Sequence, residues 1–327
     1  MNTRRKLLVV LAAAALPQSL FAQARKEPLR IAYFSEGTLE KYQPYVDSFR
    51  EGLRELGYQE GKNVRIDYYW RGDTIKVFRW MASDIVSSKP DVIVTTCEVS
   101  AIAAKNATTT IPIVMAAAND PVTHGLVAGL ARPGGNVTGV SNNQIEISAK
   151  RLELLKDLMP SIARVAMLYW KEDPPTEIEL SALRRTAVAL HMELLRFEAE
   201  DERGFERVFG EMRKAKVQAV IDYSGTTVNF PFRRQVTELS TRAKLPTVFY
   251  LGELVDDGGL MSYGPNVREG FRTAASYVDR IAKGRKPAEL PVQQPTRFEL
   301  VINLRTAKAI GVTVPQSLLV RADRIIE

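Results

Sequence analysis

Cysteine is almost missing from the 327-residue chain. Cys97 is the only one, which rules out an internal disulfide framework. Histidine is nearly as scarce: His124 and His191, with no cysteine pair near either, offer no zinc-binding pattern, so neither a metal nor a cofactor is expected. Long apolar runs are also lacking. The stretch from Leu7 to Leu16 is far shorter than the roughly 20 residues of a spanning helix, and no later stretch reaches that length. No lipobox cysteine follows the apolar run, since the one cysteine, Cys97, lies deep in the chain. Nor is there a dense basic stripe with interleaved aromatics, which removes nucleic acid from the expected partners.

What is present begins with an address. Thr3-Arg4-Arg5-Lys6, the apolar run, and Ala22-Gln23-Ala24 form a basic start, a short hydrophobic region and a small-x-small cleavage site. Residues 1–24 are therefore expected to be a cleaved signal peptide, which gives a soluble periplasmic product. The arginine pair loosely suits twin-arginine export, but an ordinary secretory signal explains it as well. Removing three of the 45 Lys and Arg residues leaves 42 against 38 Asp and Glu, a mild excess of 4. A mature chain of roughly 300 residues is long enough to bury two ordinary cores.

Periodicity then sets the architecture. "LRIAYFSEG" reads as a buried strand, and "PYVDSFREGLRELGY" as a helix with Val46, Phe49, Leu53 and Leu56 on one stripe. "NVRIDYYW", "PDVIVTTC" and "IPIVMAAA" add strands separated by helices. After "NVTGVS" the rhythm restarts with the helix "AKRLELLKDLMP", in which Leu152, Leu155 and Met159 face one way, and the strand "ARVAMLYW". "MELLRFEA", "VQAVIDYSG" and "LPTVFYLGE" continue it. The fold class is α/β, with two doubly wound parallel sheets in tandem. The tail, from "GGLMSYGPN" onward, does not simply extend the second run.

In open α/β sheets, ligands bind beyond the carboxyl ends of the strands, where loops converge with helix N-termini. The polar residues of this chain gather at those ends: Ser35-Glu36, Thr96-Cys97, Asn119-Asp120 and Ser141-Asn142 in the first run, Trp170, Tyr223-Ser224 and Tyr250 to Glu253 in the second. Each has a plainer alternative. Asn119 and Asp120 suit a ligand contact or a helix cap, and hydroxyls such as those of Ser35 and Thr96 often cap the next helix. Trp170 suits stacking on a ligand ring or packing between lobes, and Glu36 suits a solvated lip. Cys97 reads as a small packing residue; a catalytic alternative would need His124 or His191 as its base. Gly134 to Gly139 precedes a strand and lacks a following Lys-Ser/Thr, so it is a turn and not a phosphate loop. Asp256-Asp257 before Gly258-Gly259 reads as a solvated turn.

Four segments carry a resemblance: "NDPVTHGLVAGLARPGGNVTGVS", "KRLELLKDLMPSIARVAMLYW", "GGLMSYGPN" and "PTRFELVINLRTAKAIGVTVPQSLLVRADRIIE". In order and spacing they resemble the ABC-transporter substrate-binding protein family that includes tryptophan/tyrosine-binding members. The resemblance implies a type I periplasmic-binding fold, two lobes joined by a three-segment hinge and closing on a ligand. It places the first crossing at Val137 to Ser141, the second at "GGLMSYG" and the third at "LPVQQP". Residues 25–140 plus about 261–288 would form the N-terminal lobe, and 141–260 plus about 289–327 the C-terminal lobe. It implies a monomeric, non-enzymatic protein that presents an amino acid or related small molecule, aromatic in some members, to a membrane permease. A ligand-loaded sensor subunit for a membrane receptor is the alternative.

Overall fold

Strands that are apolar at every position need cover on both faces, and the first lobe is built on such strands. The computed structural model describes residues 27–70, 75–171, 174–223 and 229–327, so the expected signal peptide and Ser224 lie outside the described residues. In chain order the first lobe contains β1 (Leu29–Ser35), α1 (Leu39–Glu55), β2 (Val64–Trp70), α2 (Ile75–Ser87), β3 (Val92–Thr95), α3 (Glu98–Ala107), β4 (Ile113–Ala118) and β5 (Val137–Ser141). Their sheet has the order β2-β1-β3-β4-β5 and is parallel throughout. Every residue of β3 and β4 is buried. In α1, Val46, Phe49 and Leu53 face the core as expected, but Leu56 is 40% exposed because the helix ends at Glu55 and Gly57 turns the chain at φ +86°.

The second lobe follows: α4 (Gln144–Leu158), β6 (Arg164–Trp170), α5 (Glu177–Ala189), β7 (Glu193–Ala199), α6 (Glu202–Lys214), β8 (Ala219–Asp222), α7 (Asn229–Arg242), β9 (Thr247–Phe249), α8 (Gly252–Asp256) and β10 (Met261–Pro265). Helix α9 (Val267–Ala282) packs back on α1 and β4 of the first lobe. The chain then returns through β11 (Phe298–Asn303), α10 (Leu304–Ile310), α11 (Gln316–Leu319) and β12 (Arg324–Ile326). The second sheet has the order β12-β11-β10-β9-β8-β6-β7, parallel except for the β10–β11 pair. Among the described residues, no helix is long and apolar enough to cross a membrane.

The chain crosses between lobes three times, and two of the expected boundaries move. Residues 261–265, expected in the first lobe, form β10, which pairs with β9 and β11 in the second sheet, so this crossing falls just after Pro265. Residues 289–293, expected in the second lobe, are held by the first. Thr138 Oγ1 donates to Leu290 O at 2.6 Å, Val292 N to Leu130 O at 2.7 Å, and Gln293 N to Gly139 O at 2.9 Å. Ser141 N donates to Gln293 O, which lays the first and third crossings side by side. Gly139 sits in this pair at φ +131°, where an added Cβ would overlap the Met115 carbonyl, so only glycine fits. Asp256 is exposed, as a solvated turn would have it, while Asp257 is half-buried. They pair with Arg324 and Arg233, which tie β12 and α7 to the end of α8.

Candidate functional site

The carboxyl ends of β1 and β3 place a group of polar side chains on the first-lobe wall, and most of them bond one another. Thr96 Oγ1 donates to Ser35 Oγ at 2.9 Å, and Ser35 Oγ to Glu36 O at 3.2 Å. The buried Glu36 carboxylate lies close enough to the Tyr42 hydroxyl and the Cys97 thiol to raise the pKa of both. Cys97 is the N-cap of α3, with Sγ accepting from Ser100 N at 3.4 Å, while Ser100 Oγ accepts the Cys97 N–H. Burial, reinforced by Glu36, pushes the thiol well up, so it stays protonated and is a poor nucleophile. Asn119 N donates to Glu98 Oε2 at 2.7 Å, and Asn119 O accepts from Ser141 Oγ at 2.9 Å. Trp70 lies over this wall, with its ring 6.3 Å from that of Tyr42 and 5.6 Å from that of Tyr33.

The start of α4 is arranged differently. Its N-cap residue, Asn143, is left-handed at φ 55° and supplies no side-chain cap. The Asp120 carboxylate, from the loop after β4, accepts the Ile145 N–H instead, so α4 is capped from the other side of the first crossing. Asp120 Oδ2 is buried with no hydrogen-bond partner among the described residues. Burial and then the nearby Glu179 raise the Asp120 pKa to about 6, while Ile145 N–H and His124 act in the opposite direction. Asn142 donates its N–H to Ala118 O at 2.6 Å and is 2% exposed, yet its Nδ2 also has no such partner.

Two turns into α4 sits Arg151, fully buried. Its Nη1 donates to Asp222 O at the end of β8, its Nη2 to Ser148 Oγ at 2.6 Å, and its guanidinium lies 5.3 Å from the centre of the Tyr250 ring. Its Nε has no partner, and no carboxylate among the described residues lies within ion-pair distance. Burial pulls this guanidinium down from its ordinary pKa, and Asp222 only partly offsets that. Tyr250, just past β9, is 1% exposed and its hydroxyl is also unpartnered. The ring answers to both charges: burial raises its pKa, Arg151 lowers it and Asp120 raises it. An unpartnered buried polar atom costs about 1–3 kcal/mol, so four around one helix start mark a place that a ligand would complete.

The remaining expected residues divide. Tyr223 is buried beside Arg151 and close enough to influence its charge. The ring contacts of Trp170 among the described residues lie within its own lobe. Trp170 stacks at 5.8 Å on Phe232 and meets Phe205 of α6 at 5.8 Å. Glu253 pairs with Arg268 Nε at 3.3 Å across the second crossing. Sequence reasoning missed Arg151, Tyr42 and Trp70. It also missed a link between lobes: His124 Nε2 lies 3.7 Å from Glu179 Oε1 on α5, and its Nδ1 4.0 Å from Glu98 Oε1 on α3. One signal for Arg151 was available. Ile147, Leu154, Leu155 and Leu158 are its buried neighbours at helical spacing, so the arginine stands on the apolar stripe of α4. Among the described residues, no group of three or more His, Cys, Asp or Glu side chains is placed to hold a metal ion.

The family model described as ABC transporter substrate binding protein matches residues 39–326. The chain belongs to that family. This substrate-binding protein is 29% identical over 275 residues to the tyrosine-binding protein of Clostridioides difficile (strain R20291), covering 82% of this chain and 77% of the relative. Its structure superposes on the ABC domain in complex with L-Trp from Streptococcus pneumoniae, with a TM-score of 0.83, 25% identity, and coverage of 92% of this chain and 100% of the other. A conserved domain protein from Vibrio cholerae O1 biovar El Tor str. N16961 gives 0.82 and 25% over the same shares. The substrate-binding protein thus has the type I periplasmic-binding fold, and its family is one of binding proteins rather than enzymes.

Proposed function

We propose that this substrate-binding protein captures an amino acid with an aromatic side chain between its lobes, outside the inner membrane, and delivers it to an ABC importer as a monomer. The reading rests on one observation above the rest: the buried, unpartnered polar atoms of Asp120, Asn142, Arg151 and Tyr250 gather where the strand ends meet the first crossing. A relative that binds tyrosine and a similar structure holding L-Trp supply the class of side chain. The aromatic groups on the two lobes, Tyr42 with Trp70 and Trp170 with Phe232, provide apolar walls for a ring. Delivery follows from population shift. A ligand that touches both lobes favours the closed form by its differential affinity, and the permease reads that form.

The test is thermal unfolding of the chain lacking residues 1–24 against a panel of amino acids, after unfolding and refolding to strip any carried ligand. A ligand at a hundred times its Kd raises stability by about 2.7 kcal/mol. A clear rise with L-Trp, L-Tyr or L-Phe supports the reading, and a flat panel overturns it. Fractionation of cells expressing the full chain or a chain without residues 1–24 tests export, and ligand-dependent stimulation of a reconstituted importer ATPase tests delivery.

A further inference from the structure

We infer that the cluster at the start of α4 is a head-group cradle, in which Asp120 holds the ligand's α-ammonium and Arg151, with Asn142, holds its α-carboxylate. The inference rests on the amino-acid reading above and adds to it the requirement that both charged groups be free.

The chemistry of the unpartnered atoms carries the assignment. Arg151 Nε and Asn142 Nδ2 can only donate, Asp120 Oδ2 in a carboxylate can only accept, and the Tyr250 hydroxyl can do either. A bound group must therefore accept at one end and donate at the other. Arg151 carries a positive charge with no ion pair among the described residues and only a partial offset from Asp222, and Asp120 carries a negative charge whose other oxygen is already taken by Ile145 N–H. The Arg151 guanidinium lies over the Tyr250 ring, Asp120 is close enough to act on the Tyr250 hydroxyl, and among the described residues the two charges do not pair with each other. Water could take the hydrogen bonds but would neutralise neither charge. A sugar or a nucleobase would do no better. A simple anion would match Arg151 and repel Asp120, and an amine without a carboxylate would do the reverse.

A zwitterion answers both. Both charges are also held rigidly. Arg151 is fixed through Asp222 O, Ser148 Oγ and the Tyr250 ring, and Asp120 through the first turn of α4. Fixed donors and acceptors lose little freedom on binding, which favours affinity. The cradle also lies against the first crossing, so a ligand seated in it touches a loop of the first lobe and a helix of the second together.

The experiment compares ligands that differ by one charged group, using titration calorimetry on the chain lacking residues 1–24. L-Trp and L-Tyr are set against tryptamine and tyramine, which lack the carboxylate, and against indole-3-propionate and 3-(4-hydroxyphenyl)propionate, which lack the ammonium. Each analogue is expected to bind about a hundredfold or more weakly than its parent, since a charge-assisted bond is lost and a buried charge is left alone. Asp120→Asn is expected to weaken L-Trp about tenfold or more and leave the ammonium-free analogue within about threefold, which a purely structural cap would not do. Arg151→Lys, which keeps the buried charge, is the second variant. It is expected to weaken the parent and leave tryptamine unchanged. Analogues that bind as tightly as their parents, or an Asp120→Asn protein that binds L-Trp normally, overturn the cradle while leaving an aromatic-ligand protein in place. If no amino acid binds at all, the amino-acid reading falls, and the cradle with it.

Discussion

The polar residues expected on the two walls of the site are used differently, although the Thr95 and Tyr33 hydroxyls of the first lobe are also unpartnered among the described residues. On the first-lobe wall, Ser35, Thr96, Cys97 and Asn119 bond to one another, to Glu36, or to the ends of α3 and β5. Around the start of α4, Asp120, Asn142, Arg151 and Tyr250 each keep a buried polar atom unpartnered among the described residues. A polar residue at a strand end is therefore no more than a candidate. What separates a structural group from a recognition group is whether its bonding capacity is already spent.

The sharpest way to break this contrast is Arg151→Met. Removing a buried charge in favour of an apolar side chain of comparable length relieves a desolvation penalty, so the unfolding midpoint should hold or rise. Ligand affinity should nevertheless fall about a hundredfold or more, because the carboxylate loses its only cation. Calorimetry and thermal unfolding on one sample check both; parallel losses in the two would make Arg151 a structural residue.

Next in size is the pH response of Asp120. Its pKa in the free protein is raised to about 6 by burial and Glu179, with Glu146 adding to the effect and Ile145 N–H and His124 opposing it; the Tyr250 hydroxyl also lies within its electrostatic reach. Because the folded pKa is raised, the stability tied to this proton is fully present below the unfolded carboxylate pKa and is lost as pH rises through about 6. A ligand ammonium needs the ionised form. Affinity should thus fall as pH drops below about 6, approaching tenfold per unit, and Asp120→Asn should flatten the curve. Binding isotherms between about pH 4.5 and 8, which bracket the raised pKa near 6, decide this.

A smaller effect is expected at the link between lobes. His124→Ala removes the group between Glu98 and Glu179, and burial would then raise the Glu179 pKa that His124 and Thr176 now hold down. The closed form should lose about 1 kcal/mol, a few-fold in affinity, mostly through faster release seen by stopped flow. The smallest effects belong to the first-lobe wall. Thr96→Val should lower stability by about 1 kcal/mol with the bond to Ser35, and Cys97→Ser should keep the α3 cap; neither should change affinity more than about twofold. A large loss of binding in either would show that this wall holds ligand directly.

Much of the fold was legible in the chain. The apolar runs at β3, β4 and β8 and the helical stripes between them mark parallel strands covered on both faces. The boundaries at 261 and 289 were not legible, because nothing in "LMSYG" or "LPVQQ" states which sheet or lobe will supply the backbone partners. The strand-end rule led to Asp120, Asn142 and Tyr250 but equally to Ser35, Thr96 and Cys97, whose bonds are closed within the protein. Arg151 escaped because a basic residue in a helix normally faces water; its place on the apolar stripe of α4 hinted at burial, but its partners appear only when β8, β9 and α4 close around it.

The sequence by itself determined the tandem α/β lobes and their family, since hydrophobic period and segment order are local properties of the chain. Only the tertiary structure decided which polar atoms remain unspent. That depends on pairings such as Asp120 with Ile145 and Arg151 with Asp222, whose partners lie 25 and 71 residues apart and meet because the lobes fold against the first crossing. Bonding capacity is a balance over neighbours in space, and no local pattern records it.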